Sequence, residues 1–252
     1  MKKIIALVMA AALMLCCFAG CGGSNVTTVE EGKLIMATNA YFQPYEYYDG
    51  DKIIGIDAEI AEAVAEKLGL ELVIEDMAFD SIITAVSEGS VDMGLAGMTV
   101  TDERKEFVDF SISYATGVQS IIVPENSAIT SVDDLYADGA AYKVGVQLGT
   151  TGDIYSTDDF GSELVTAYTT GNEAVNALIG GDVDCVIIDN EPAKAFVANN
   201  EGLKILDTSY ADEDYAACIK KGNEQLLNAV DAAIEELIAD GTIDAIVAKY
   251  IK

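Results

Sequence analysis

A single arginine, Arg104, stands in a chain that carries thirteen lysines and 43 acidic residues. It closes the run Thr99-Val-Thr-Asp-Glu-Arg104. A guanidinium offers a planar fork of N–H donors that fits a carboxylate with two parallel bonds. The plainer alternative is a surface salt bridge to Asp102 or Glu103. Asp189 ends the apolar run 183–188 and would present an anion at a strand end. Gly149-Thr150-Thr151-Gly152 precedes a helical stretch, where free N–H groups and the helix dipole favour the negative end of a ligand. An ordinary glycine-rich strand-to-helix turn has the same spelling. Phe42 and Phe79 are either pocket walls or core aromatics. Asp158-Asp159 and Asp212-Glu213-Asp214 lack the spaced alternation of a calcium loop and read as solvated turns, so no metal site is expected.

Composition narrows the chemistry further. The 252 residues hold no histidine and no tryptophan and carry a formal charge of −29. That charge repels phosphate backbones and anionic head groups, which argues against nucleic-acid binding and electrostatic membrane docking. Without histidine, imidazole-based triads and His-ligated zinc are excluded. Hydrophobic residues at 51% indicate a globular chain.

The first residues read as a leader. Lys2 and Lys3 precede an apolar or small-residue run over 4–20, the pattern of a secretory signal covering 1–20. That run is shorter than the roughly 20 apolar residues needed to span a bilayer. Phe18-Ala19-Gly20-Cys21 followed by Gly22-Gly23-Ser24 resembles the lipobox of bacterial lipoproteins, which implies lipidation of Cys21 and a tether over 21–32. Cys16 and Cys17 lack the preceding small pair. The expected location is extracytoplasmic, held at the cell membrane by lipid. Cys185 and Cys218 lie in apolar, strand-like stretches and read as buried free thiols, two cysteines being no disulfide framework.

The elements that must position these residues alternate along the chain. Strands are expected over 34–38, 71–76 and 91–96, with helices over 57–68 and 81–87 between them. In the first helix Ile60, Val64 and Leu68 stack on one face, Asp57 can cap its start and Gly69 can end it. The grammar restarts at Lys143: strand to Gln147, helix from about Gly152, strand 163–168, helix 172–179, strand 183–189. Ala85-x-x-x-Gly89-x-Val91-Asp92-x-x-Leu95 repeats as Ala177-x-x-x-Gly181-x-Val183-Asp184-x-x-Ile187, an offset of 92. Two related α/β lobes are expected, each a mostly parallel sheet flanked by helices, and a helical close over 223–251. Parallel sheets bind ligands beyond the carboxyl ends of their strands. Those ends are Ala96-Gly97-Met98-Thr99 in one lobe and, by the offset, Asp189 in the other.

From Leu34 onward the chain resembles the polar-amino-acid family of bacterial extracytoplasmic solute-binding proteins, the receptors of ABC importers. The resemblance rests on Pro44-Tyr45-Glu46-Tyr47 with Ile54-Gly55-Ile56-Asp57, Phe79 with Ile82-Ile83, Leu95 through Arg104 running to Val108-Asp-Phe-Ser111, Val144 through Gly152, Asp189, and Asp240-Gly-Thr242 with Lys249-Tyr250. It implies a two-lobed periplasmic-binding-protein type II fold with two hinge crossings, at 114–118 and 211–215. Lobe one would be 33–114 plus 215–252, and lobe two 118–211. Cys218 and Cys185 would then fall in different lobes, making a disulfide between them improbable. The resemblance further implies that Arg104 grips a ligand α-carboxylate, aided by the Thr99 hydroxyl and by the loop of Thr150 and Thr151. Ala96 and Gly97 would offer main-chain groups, Asp189 would meet the α-ammonium, and Phe42 and Phe79 would flank the side chain. A zwitterion needs one fixed cation and one fixed anion in a dry site, and Arg104 and Asp189 supply them from opposite lobes, so binding should drive closure.

Asn39 stands where relatives that bind cationic or amide side chains often carry aspartate, and Gln147 and Ile188 replace polar or charged groups. An uncharged floor disfavours lysine, arginine or glutamate and favours a neutral polar amino acid such as glutamine, or cystine. No cofactor is expected, and the chain reads as a monomer with a permease partner, not an enzyme. Two alternatives share the fold. An exported dehydratase of prephenate-like acids would use Glu46 or Asp189 as general acid or base. A ligand-sensing receptor domain would call for a second transmembrane or signalling segment, which is not expected after Lys252.

Overall fold

The computed structural model describes residues 26–251; the expected signal peptide, Cys21 and the start of the tether lie outside the described residues. The chain runs through β1 (Lys33–Thr38), a small antiparallel meander of β2 (Tyr41–Phe42), β3 (Glu46–Asp49) and β4 (Lys52–Ile54), then α1 (Ile56–Leu68) and β5 (Glu71–Asp76). Next come α2 (Phe79–Glu88), β6 (Met93–Gly94), the single turn α3 (Asp102–Lys105) and the long β7 (Val108–Pro124). The second lobe holds β8 (Val144–Gln147), α4 (Thr151–Phe160), β9 (Val165–Tyr168), α5 (Gly171–Gly180), β10 (Cys185–Asp189), α6 (Asn190–Asn199) and β11 (Leu203–Ile205). The chain returns along β12 (Ala211–Lys220) to α7 (Glu224–Ala239) and α8 (Thr242–Tyr250).

Strand order is β5-β1-β6-β12-β7-β10-β8-β9, with β11 also on β7. The triplets β5-β1-β6 and β10-β8-β9 are parallel, as the alternating pattern predicts. The crossing strands alter the picture of two separate sheets. β7 and β12 pair antiparallel with each other from Gln119 opposite Ala211 to Val108 opposite Lys220, joining both triplets into one mixed sheet. The register shifts on either side of Ala216, so the ladder is irregular where it passes between the lobes.

Both faces of each parallel triplet are covered, which explains the near-continuous apolar spelling of the strands. In β1, Leu34 and Met36 pack with Ile60 and Val64 of α1 and Ile234 of α7, while Ile35 and Ala37 pack with Ile82 and Val86 of α2. In β10, Val186 and Ile188 pack with Ala174 and Leu178 of α5 on one face, while Cys185 and Ile187 pack with Phe160 of α4, Ile129 and Leu135 on the other. Cys185 and Cys218 are free, buried and in different clusters.

The 92-residue repeat has a physical content. Gly89 and Gly181 both end their helices in the left-handed region, at φ 80° and 78°. In each case an aspartate three residues later ties down the neighbouring strand near its start: Asp92 accepts from the Ile35 N–H at 2.8 Å and Asp184 from the Lys143 N–H at 2.8 Å. Gly69 ends α1 in the same way at φ 70°. Asp57 does not cap α1, however. Gly55 occupies the N-cap position, and the Asp57 carboxylate turns into the core, where it accepts from the Gly97 N–H at 2.7 Å and the Tyr114 hydroxyl at 2.8 Å. An inward pair of donors outweighs the cap.

Candidate functional site

Arg104 is aimed by its own short helix. The Thr101 hydroxyl caps α3 by accepting the Arg104 N–H at 3.2 Å, which turns the side chain inward to 6% exposure. Nη1 donates to the Thr99 carbonyl at 2.7 Å and Nη2 to the Gly149 carbonyl of the second lobe at 3.0 Å. The guanidinium carbon lies 5.4 Å from the Phe79 ring centre. No carboxylate is within ion-pair distance of Arg104 among the described residues; Asp102 pairs with Lys105 instead. The surface salt bridge is thereby excluded. With two of five N–H groups engaged, three remain for an anion. Burial pulls the guanidinium pKa down, opposed by the charge of Glu213, and the group stays charged.

Asp189 is the last residue of β10 and the N-cap of α6. One carboxylate oxygen accepts the Glu191 N–H at 3.2 Å, the other the Tyr215 hydroxyl. Burial drives its pKa up to about 8, countered by the Glu191 N–H and reinforced by the charges of Glu213 and Glu191. Without ligand the acid form is favoured at neutral pH; a cation beside it would shift it to the carboxylate.

The remaining expected residues surround the same cavity. Its lining comprises Asn39, Phe42, Phe79, Ala96, Gly97, Thr99, Arg104, Gln147, Thr150, Thr151 and Asp189, together with Glu46, Gln119, Ile188 and Tyr215. Gln147 donates across the cleft to the Asn39 side-chain oxygen at 2.9 Å, and Asn39 donates to the Met77 carbonyl at 2.8 Å. Thr150 caps α4 and donates to the Gln147 carbonyl at 2.8 Å. Gly97 sits at φ +53°, where a Cβ would lie 2.8 Å from the Phe42 ring. Phe42 touches core clusters of both lobes. The Thr99 carbonyl accepts from Arg104 and so orients the guanidinium.

Tyr215 and Gln119 join the site without a local sequence signal. Both sit on the crossing strands, Tyr215 bonded to Asp189 and Gln119 donating to Glu213 at 2.9 Å. The crossings are legible as extended segments, but which of their side chains turn inward depends on the register of β7 against β12. The sequence offers Glu46 only as a general acid for the dehydratase alternative. It is fully buried in the cavity wall and neither oxygen meets a donor, so the wall holds an ionisable carboxyl that Asn39, Gln147 and Ile188 do not suggest.

Comparison with known proteins agrees in fold and class. Residues 34–252 match the bacterial extracellular solute-binding proteins, family 3. The arginine-binding extracellular protein ArtP of Bacillus subtilis (strain 168) is 35% identical over 261 residues, covering 99% of this chain and 98% of that protein. The L-cystine-binding protein TcyJ of Escherichia coli (strain K12) is 28% identical over 225 residues, covering 88% and 83%. Among solved structures, an ancestral arginine-binding protein bound to glutamine superposes with a TM-score of 0.82 at 38% identity, covering 88% of this chain and 99% of that one.

Proposed function

Because the chain belongs to the bacterial extracellular solute-binding proteins, family 3, we propose that it captures a polar L-amino acid between its lobes and delivers it to the permease of an ABC importer. Members of the family and the relatives above are solute-binding proteins, not enzymes, which removes the dehydratase reading. The observation that carries the proposal is one cavity lined by a buried arginine and a buried aspartate, neither of which has a side-chain partner of opposite charge among the described residues. Such a site is incomplete until a zwitterion supplies both missing charges. Arg104 holds the α-carboxylate, with the Thr150–Thr151 end of α4 beside it, and Asp189 holds the α-ammonium. Ala96 and Gly97 supply main-chain groups, Thr99 its hydroxyl beside the carboxylate, Phe42 and Phe79 the walls, and Asn39 and Gln147 the far end.

The lobes are 33–114 with 215–252, and 118–211, hinged at 114–118 and 211–215. The protein works as a monomer outside the cytoplasm, held at the membrane by lipid on Cys21.

The Asn39–Gln147 amide pair favours a neutral polar side chain such as that of glutamine, with cystine next. A basic amino acid is the second reading, supported by the Glu46 carboxyl in the wall and by the arginine-binding relatives. A thermal-shift screen of the twenty amino acids plus cystine decides. A ligand at one hundred times its Kd stabilises by about 2.7 kcal/mol, a rise of roughly 5–10 °C. If no amino acid raises the melting temperature, the assignment is wrong.

A further inference from the structure

Glu46 has no place in the zwitterion grip described above, yet it lines the cavity, is fully buried, and offers both oxygens to no donor. Its carboxyl abuts that of Asp57. Asp57 already uses one oxygen for the Gly97 N–H and the Tyr114 hydroxyl, and its other oxygen has no partner. Two carboxylates have no hydrogen to share, so the contact is favourable only if one of them is a neutral acid. Asp57, with two donors holding its charge, is the carboxylate; Glu46, with none, is the acid. Asp189 forms the third acidic corner and adds its charge to the field at Glu46.

We propose that Glu46 is a further ligand-facing residue, protonated in the ligand-free protein, and that the ligand's α-ammonium, shared between Asp189 and Glu46, displaces the Glu46 proton to solvent. The exchange balances: a neutral carboxylic acid and an alkylammonium become a carboxylate paired with that ammonium, and one proton leaves. Resting on the amino-acid-binding assignment, it adds that capture is coupled to proton release and therefore strengthens as pH rises. The carboxylates facing this cluster favour the neutral acid at Glu46 before binding, while the Tyr114 and Tyr215 hydroxyls hold the charge on Asp57 and Asp189. The facing groups are Asp57 of α1, Asp76 of β5, Asp189 of β10, Glu191 of α6, Glu213 of β12, and the tyrosines Tyr45, Tyr114 and Tyr215. Arg104 is the one cation in the lining among the described residues.

Titration calorimetry of the purified protein tests this with L-glutamine and L-arginine as probes at pH 7, in phosphate and in Tris, whose ionisation enthalpies differ widely. The slope of observed heat against buffer enthalpy counts protons. The parent is expected to release between about one and two protons per ligand, one from Glu46 and the rest from Asp189, and Glu46→Gln, which mimics the neutral acid, is expected to bind while releasing about one fewer. Infrared difference spectra provide a second check: the C=O band of protonated carboxylic acid is expected to bleach on binding more strongly in the parent than in Glu46→Gln. Zero slope in the parent, an unchanged slope in Glu46→Gln, or an equal bleach in the two overturns the proposal. Absence of binding to every amino acid in the thermal screen instead overturns the assignment on which it stands.

Discussion

Arg104 concentrates the functional claim, because a buried guanidinium with three spare donors and no carboxylate beside it among the described residues matches one kind of ligand group. Each charge-assisted bond to a ligand carboxylate contributes about 1.5–3 kcal/mol, so Arg104→Ala is expected to weaken amino-acid binding roughly hundredfold or more by calorimetry. Arg104→Lys keeps the charge and loses the fork, and should recover only part of that loss. Parent-like affinity in Arg104→Ala would remove the residue from the site. Asp189→Asn preserves the α6 cap and the Tyr215 contact but not the charge, and is expected to lose affinity without losing melting temperature in the absence of ligand. Both residues are legible in the sequence for local reasons: Arg104 is unique in the chain, and Asp189 falls where the internal repeat maps Gly97. Tyr215 and Gln119 are not, since no local pattern distinguishes an inward from an outward residue on a strand whose register is set by a partner about a hundred positions away.

At the scale of elements, the repeated helix–strand junction is readable because its glycine and aspartate do local jobs, and the two copies can be weighed against each other. Asp92 is buried and holds two backbone N–H groups, of Val29 in the approach to β1 at 2.7 Å and of Ile35 within it at 2.8 Å, whereas exposed Asp184 holds one. Asp92→Ala is therefore expected to cost about 2–4 kcal/mol in urea denaturation and Asp184→Ala under about 1 kcal/mol; equal losses would refute the reading. Asp57 shows why a cap signal at a helix start can mislead: the sequence shows the carboxylate but not the Gly97 and Tyr114 donors that the fold brings to it. The crossing strands set a tighter constraint. A Cβ on Gly117 of β7 would collide with the Tyr215 hydroxyl and lie 2.7 Å from an Asp189 oxygen. Gly117→Ala is expected to push Tyr215 off Asp189, costing about 1–3 kcal/mol and most of the ligand-induced thermal shift. Parent-like stability and binding in the Gly117→Ala variant would show that the crossing tolerates rearrangement.

For the molecule as a whole, the sequence makes the two α/β lobes and their order legible through strand–helix alternation, but not the merging of their sheets, which depends on two long strands pairing at a distance. It also leaves hidden that the acidity seen as a surface property continues inward, to Glu46, Asp57 and Asp189 around one cavity. Burial raises Asp57 to about 6, Asp189 to about 8 and Glu46 well above the ordinary carboxylate range, against about 4 in the unfolded chain. Groups whose folded pKa is raised bind protons more tightly in the native state. Their stabilising contribution is complete below about pH 4 and is lost as pH climbs through 6 and 8. The carboxyls shifted the other way, Glu59, Asp134 and Asp240, have already titrated below that window. The ligand-free protein is thus expected to melt roughly 5 °C or more lower at pH 8 than at pH 5. Repulsion among surface carboxylates pulls in the same direction, so the slope alone does not single out the cavity. Ligand does: an ammonium seated among the three carboxyls stabilises their charged forms and leaves the surface untouched. With saturating amino acid the decline from pH 6 to 8 should flatten, the ligand-induced shift in melting temperature growing with pH. A shift that is constant or shrinks over that range would place the buried protons somewhere other than the binding cavity.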